Sequence, residues 1–466
     1  MLSIVSLSLF GILSLFLGFL KSSRRVLLPT TLLFVALAFA ANLLDWNEQY
    51  LWFRNMLRTN NQFINFSGII LLTTFLVVAL SRTFGKDEEH THPAEYYAIM
   101  LFSVAGAMMM VGFENLIMLF VGLEILSVSM YVLTGTDKRN LRSNEAALKY
   151  FLMGAFATGI FLFGVALVYG ASGSFNLAGI GAYTANARAL GVSPLLYVGL
   201  LLLLVGMLFK VSAAPFHFWT PDVYDGAPTL FTAFMSTVVK TAGFAALYRI
   251  LSASFGGVYG YWWQILSVVT VLTLLVGNVT AVYQNSVKRM LAYSSISHAG
   301  YLLIALAAQT RQSASAILFY SLAYSVATVT AFGVLMLVSE QKPVDGRPDE
   351  RYEAFNGLAK RSPLLAFALA VSMLSLAGIP LTAGFWGKFF VFATAVDRGM
   401  TSLLVIAVLM SVVGIYYYFR VIIASYLKTG DGEPIEIRPL YRVILVLTTA
   451  LTLVLGLFPD LVRHLF

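Results

Sequence analysis

Apolar runs of about 20 residues, each long enough to cross a bilayer as a helix, follow one another along the chain with short polar breaks between them. The pattern predicts spans near 1–20, 26–44, 62–81, 95–112, 115–134, 145–170, 194–214, 228–251, 262–284, 290–309, 312–339, 363–396, 401–427 and 440–458. The expected fold class is therefore an all-α integral membrane protein of about 14 transmembrane helices. The polar segment 45–61 carries Trp46, Tyr50, Trp52 and Phe53 among its charges and reads as an anchor lying along the interface. Two spans are interrupted: Pro215 and Pro221 follow Lys210 in the seventh, and Gly378, Pro380, Gly384 and Gly387 precede Lys388 in the twelfth. Proline removes a helix hydrogen bond, and the freed backbone groups are tolerated at membrane depth only where protein or water satisfies them. Each break has a Phe-Trp pair close by, Phe218-Trp219 and Phe385-Trp386. Broken helices five spans apart suggest two inverted five-helix repeats, each containing a broken helix. The domain division is then 1–94 for helices 1–3 with the interfacial segment, 95–251 and 262–428 for the repeats, and 440–466 for the last helix.

Composition narrows the function. Of 466 residues, 59% are hydrophobic and 11% charged, too little charge to cover a soluble surface over so much apolar area. The stretch 1–20 lacks the basic start and small-residue cleavage site of a signal peptide and reads as a retained span. The net charge of +8 is explained by basic loops on one side rather than by nucleic acid. Loops after odd-numbered spans hold 18 Lys and Arg, the other side 7. By the positive-inside rule the richer side is cytoplasmic, which places both termini on the outer side. The absence of cysteine excludes thiolate metal sites, Cys-ligated iron–sulfur clusters and disulfides within this chain. No phosphate-binding glycine motif, nucleophile triad or haem-ligand pairing stands out, so any work this chain does is vectorial rather than covalent.

A charge near the bilayer centre costs from about 2.5 to more than 10 kcal/mol, so intramembrane ionisable groups are functional candidates. Glu124 is an acidic residue deep within a span, and its alternative reading is a structural carboxylate that pairs a lysine. Lys210 stands just before the first break, where water can enter and a desolvated lysine can exchange its proton. Lys240 lies near the middle of its span between apolar neighbours, a poor position for snorkelling. Lys388 follows the second break and reads as a terminal proton site or an interfacial anchor. Lys149 has Glu145 four residues before it, so an exposed surface pair competes with a role in the path. His217 and His298 can relay protons through either ring nitrogen, with a hydrogen-bonded core histidine as the alternative. No cluster with metal-ligand spacing surrounds them. Arg420 holds its proton too firmly to exchange it and reads as a snorkelling or structural residue. His90 and His92, in the charged loop 86–92, and the mixed-charge segment 340–361 read as solvated.

Two stretches carry a resemblance. Lys210-Val211-Ser212-Ala213-Ala214-Pro215-Phe216-His217-Phe218-Trp219-Thr220-Pro221-Asp222-Val223-Tyr224-Asp225-Gly226-Ala227-Pro228-Thr229 and Lys288-Arg289-Met290-Leu291-Ala292-Tyr293-Ser294-Ser295-Ile296-Ser297-His298-Ala299-Gly300-Tyr301 resemble the motifs of the antiporter-like membrane subunits of bacterial NADH:quinone oxidoreductase, respiratory complex I. The superfamily also holds Mrp-type cation/proton antiporters. The Pro221-Asp222-Val223-Tyr224 run, lysine at 388, Asn285 before Lys288-Arg289 and the lack of a long carboxy-terminal extension favour the subunit N family. Leu230 departs from it, standing where members usually have proline. The resemblance implies that Glu124 and Lys210 form a coupling pair, Lys240 is the central proton site and Lys388 faces the outer exit, with Lys149, His217 and His298 on the connecting path. It implies a proton-translocating subunit without cofactors of its own in a bacterial cytoplasmic membrane. FMN, iron–sulfur clusters and quinone would belong to other subunits, and the neighbours would be subunit M and small subunits such as K. The alternatives are an Mrp-type antiporter subunit, the membrane subunit of an energy-converting hydrogenase, and an inert scaffold whose lysines are ion-paired.

Overall fold

The computed structural model describes residues 1–20, 23–81, 93–186, 191–341, 343, 348–430 and 432–463. His90 and His92 lie outside the described residues. Helices account for most of the rest: α1 (Leu2–Leu17), α2 (Ser23–Leu43), α3 (Asn61–Leu80), α4 (Pro93–Gly112), α5 (Leu116–Thr134), α6 (Leu141–Ser172), α7 (Leu177–Ala185), α8 (Pro194–Lys210) and α9 (Trp219–Gly226). They continue with α10 (Thr229–Ser254), α11 (Tyr259–Val282), α12 (Val287–Ala308), α13 (Ser313–Ser339), α14 (Pro363–Ala377), α15 (Ala383–Asp397), α16 (Thr401–Tyr426) and α17 (Pro439–Leu457). Among the described residues, 11 helices are long and apolar enough to cross a membrane, and α1, α8 and α14 are shorter apolar helices. Together they account for every predicted span. The two interrupted spans are indeed broken, between α8 and α9 and between α14 and α15.

Three local features were not legible in the hydropathy pattern. The helix α7 occupies what reads as a plain connection. The aromatic segment after α2 folds into a hairpin of β1 (Tyr50–Trp52) and β2 (Leu57–Thr59), with Tyr50 opposite Thr59. A hairpin pairs backbone groups that would otherwise face the apolar boundary unsatisfied. Its tip, Phe53-Arg54-Asn55, takes φ values of 49°, 52° and 66°, a run of three non-glycine residues in the left-handed region. The third feature corrects the reading of 340–361 as solvated. Tyr352, Phe355 and Leu358 are buried there, and Val287 N donates to Glu350 O at 2.8 Å. The three-residue spacing of those apolar side chains gives the segment a face of its own, which the surrounding charges obscure.

The described chain divides into two compact units, Met1–Ser212 with Val238–Ile265 and Ala213–Thr237 with Leu266–Phe466. In the first, α4 packs against α1 and α5, and α6 lies along α8. Gly106 and Gly122 let the backbones of α4 and α5 touch, since a Cβ on either would fall within about 3 Å of the other helix's backbone. Glu114, at the start of α5, is gripped by Arg58 at 2.6 Å and by Arg249 of α10 at 2.5 Å. In the second unit the core is α12 and α13, buried along nearly their whole length. Lys288 of α12 caps the end of α9, donating to Asp225 O at 3.0 Å and Ala227 O at 2.8 Å, and it pairs with Glu350 at 3.1 Å.

Candidate functional site

In the first unit the carrier of chemistry is the α5–α8 contact. Lys210 ends α8, where the chain stops being helical, and its side chain is buried. Nζ donates to Ser127 Oγ at 2.8 Å and lies 5.7 Å from the centre of the Tyr150 ring. Glu124 is three residues before Ser127, hence on the same side of α5. One carboxylate oxygen, Oε1, is buried with no hydrogen-bond partner among the described residues. Beside them is a cavity of about 10 Å³ lined by Ser127, Tyr131, Thr158 and Lys210, the size that admits one water. Among the described residues Lys210 makes no direct ion pair with Glu124; its Nζ is met instead by Ser127, whose hydroxyl donates to Leu123 O at 2.6 Å. Ser127 is the member that motif reading passed over, because a serine in a helix is ordinarily silent.

Lys240 lies in the same unit, buried within α10 directly after a π-helical turn, Met235–Val239. Such wide turns concentrate at functional sites. Lys149 is placed differently. Its Nζ is 2.7 Å from Glu145 on the exposed first turns of α6, with 39% of its side chain accessible. The structure realises the surface-pair alternative there and does not carry Lys149 into the interior of this chain.

The second unit holds both histidines and Lys388. After the first break the Ala214–Pro215 peptide is cis, Ala214 N donates to Thr273 Oγ1 at 2.9 Å and Phe216 N to Ala213 O at 2.8 Å. These bonds fix His217, which is buried with its ring 4.6 Å from that of Phe218 and its Nδ1 without a hydrogen-bond partner among the described residues. His298, on α12, bridges two tyrosines: Nδ1 is 2.6 Å from Tyr320 Oη and Nε2 is 2.9 Å from Tyr418 Oη. Tyr418 Oη in turn lies 2.5 Å from Ser294 Oγ. A neutral imidazole must donate at one nitrogen and accept at the other, so Tyr320, His298, Tyr418 and Ser294 form a directed chain whose direction reverses with the tautomer. The tyrosines were missed in the sequence. The four-residue interval from Tyr320 to Tyr324 in an otherwise apolar helix, and the pair Tyr417-Tyr418, were the available signal.

Lys388 is held by the second break itself. Nζ donates to Ala377 O, a carbonyl at the end of α14, at 2.7 Å and to Ser411 Oγ of α16 at 2.9 Å, and it lies 4.8 Å from the centre of the Tyr301 ring. The break leaves carbonyls without helical partners, and their partial negative charge suits a cation. Gly378 makes the approach possible: its φ is +83°, and a Cβ there would fall 2.7 Å from Lys388 Cδ. Gly384 N reaches back across the break to Ser375 Oγ at 3.0 Å. Arg420 is structural, as its chemistry suggested, donating to Val282 O at 2.7 Å and stacking on Tyr352.

Comparison with known proteins gives a consistent result. The sequence model of the family described as NADH:quinone oxidoreductase/Mrp antiporter, TM matches residues 114–414. The NADH-quinone oxidoreductase subunit N of Flavobacterium psychrophilum is 40% identical over 464 residues, covering 99% of both chains. Among solved structures, a chain of respiratory complex I from Thermus thermophilus with bound aureothin superposes with a TM-score of 0.85 at 37% identity, over 99% of this chain and 98% of that one. A chain of the Mrp complex from Dietzia reaches the same TM-score at 21% identity, over 100% of this chain and 96% of that one, and so shares the fold.

Proposed function

Because this chain belongs to the NADH:quinone oxidoreductase/Mrp antiporter transmembrane family, we propose that its buried residues carry protons across the membrane in the order Lys210, Lys240, Lys388. It is a membrane subunit of NADH:quinone oxidoreductase, a translocase complex in which the redox chemistry belongs to other subunits. One observation carries the route. Lys210 and Lys388 are each seated on neutral acceptors, Ser127 in one case and Ala377 O with Ser411 in the other. Neither lysine is locked in a direct ion pair among the described residues, so each can release its proton without breaking one. Glu124, beside Lys210 and only partly satisfied, is the group whose approach or withdrawal biases that release. His298 with Tyr320, Tyr418 and Ser294 provides a relay of exchangeable hydrogens, and His217 offers a second ring at the first break. Lys149 serves at the chain's rim, where Glu145 already partners it.

The same reading divides the chain into helices 1–3 (1–94), inverted repeats (95–251 and 262–428) and a last helix (440–466), supported by the two breaks five spans apart. It places the protein in a bacterial cytoplasmic membrane with both termini on the outer side, supported by the distribution of Lys and Arg. Its neighbours in the membrane arm are an antiporter-like subunit M and small subunits such as K, while FMN, iron–sulfur clusters and quinone reside elsewhere in the complex. The Mrp-type reading is less well supported, since the likeness to that complex extends to fold alone.

The decisive experiment replaces Lys240 with alanine in the native host, confirms assembly, and measures NADH-driven proton pumping in membrane vesicles alongside electron transfer. Loss of most pumping in an assembled complex is the expected result. Normal pumping would make Lys240 a packing residue and remove the centre of the route.

A further inference from the structure

In the first unit, α1, α4, α5 and the hairpin enclose a groove of about 460 Å³ that follows α1 from Met1 to Ile12. Its walls include Ile4, Leu9, Met56, Met109, Met118 and Val121. Its polar groups are engaged within the chain, the Ser8 hydroxyl with Ile4 O at 3.1 Å and the Met1 amine with Asp45 at 2.8 Å, and the rest of the lining is apolar. The shape restricts the occupant further. Eleven helical steps span about 16 Å, which leaves the groove of about 460 Å³ a cross-section of roughly 30 Å². A helix about 10 Å across needs roughly 80 Å², so a neighbouring span cannot lie wholly within it. A single hydrocarbon chain fits, and the flexible thioethers of Met56, Met109 and Met118 adapt to its kinks.

The charge at one end of the groove completes the argument. Phe53 of the hairpin tip is part of the lining, and the next residue, Arg54, is exposed. Other positive groups nearby are matched within the chain: the Met1 amine by Asp45 at 2.8 Å and Arg58 by Glu114 at 2.6 Å. We propose that the groove holds one acyl chain of a membrane phospholipid whose phosphate rests against Arg54.

The test uses the assembled complex in its native membrane, supplied with a phospholipid carrying a diazirine midway along one acyl chain. After illumination, adducts on this subunit are mapped by mass spectrometry. Adducts concentrated on Met109, Met118 and Val121 are expected, exceeding those on the exposed residues Val408 and Val412 of α16. Filling the groove with Leu9→Trp, or with Val5→Trp should the first variant not assemble, should abolish the groove adducts and leave those on α16 unchanged. Arg54→Glu should lower them about fivefold, corresponding to the ~1 kcal/mol that a basic residue contributes at a lipid surface. Labelling equal to that of α16, or labelling unmoved by either tryptophan, overturns the proposal. A photoreactive amino acid in place of Met118 that captures another protein subunit overturns it as well.

Discussion

Lysine and arginine part company at position 388. Both are cations that can reach a helix-end carbonyl, but arginine does not give up its proton. Lys388→Arg therefore preserves the charge beside Ala377 O and the Tyr301 ring while removing exchange. An assembled complex with pumping reduced to about a tenth or less is the expected outcome, since a blocked step costs at least the ~1.4 kcal/mol of a tenfold change. Pumping at the normal rate would show Lys388 to be an anchor. The tyrosine relay makes a finer claim. Tyr418→Phe keeps the ring and deletes the hydroxyl between His298 and Ser294, so coupled turnover should fall and the solvent isotope effect should rise in D₂O, with assembly intact. These residues differ in how visible they were. Lys210, Lys240 and Lys388 announce themselves because charge is expensive in an apolar run. Ser127, Ser411 and Tyr418 do not, because hydroxyls are ordinary in membrane helices and their role depends on which neighbour folding delivers.

At the scale of elements, the second break is a device for presenting a carbonyl. Its geometry depends on Gly378, whose left-handed φ and missing Cβ admit the Lys388 side chain. Gly378→Ala should strain the backbone by about 1–3 kcal/mol and displace the lysine stem, lowering both the thermal stability of the assembled complex and its pumping. A matching substitution at Gly159, where a Cβ would meet nothing within 4 Å, should do neither, which makes it the control. Helix existence was legible almost throughout, because length and apolarity determine whether a segment can span. The breaks were legible too, through proline and glycine. The hairpin, α7 and the π turn were not, since each answers to packing and backbone satisfaction rather than to hydropathy.

For the whole molecule, charge at the surface and charge in the interior work under different rules. Lys288 is buried and joins α9, α12 and the segment 348–361, so Lys288→Ala should leave Glu350 and two carbonyls without their partner. Breaking a buried pair costs about 3–5 kcal/mol, reduced here because Glu350 is partly exposed. Faster hydrogen exchange or proteolysis across 348–361 would register the loss. Neighbouring Asp349 adds a pH-dependent contribution to the local fold of that segment. Its hydrogen bonds to Arg351 hold the carboxyl below its usual value, so its contribution is present above about pH 4 and is lost as the pH falls through the lowered folded value. Hydrogen exchange in this segment should accordingly be flat through the neutral range and rise only in acid. Nothing in the charge pattern of 340–361 disclosed this, because a mixed-charge stretch looks the same whether its apolar residues face water or protein.

The grip of Arg58 and Arg249 on Glu114 also imposes an order in time. Residue 249 emerges from the ribosome 135 residues after residue 114, roughly ten seconds later at 5–20 residues per second. During that interval Glu114 has a single guanidinium to turn to. The first unit therefore cannot close behind its helices as they insert. It stays ajar until the eighth span arrives, and a translational pause before that point prolongs the exposure of a half-satisfied carboxylate to the membrane-insertion machinery.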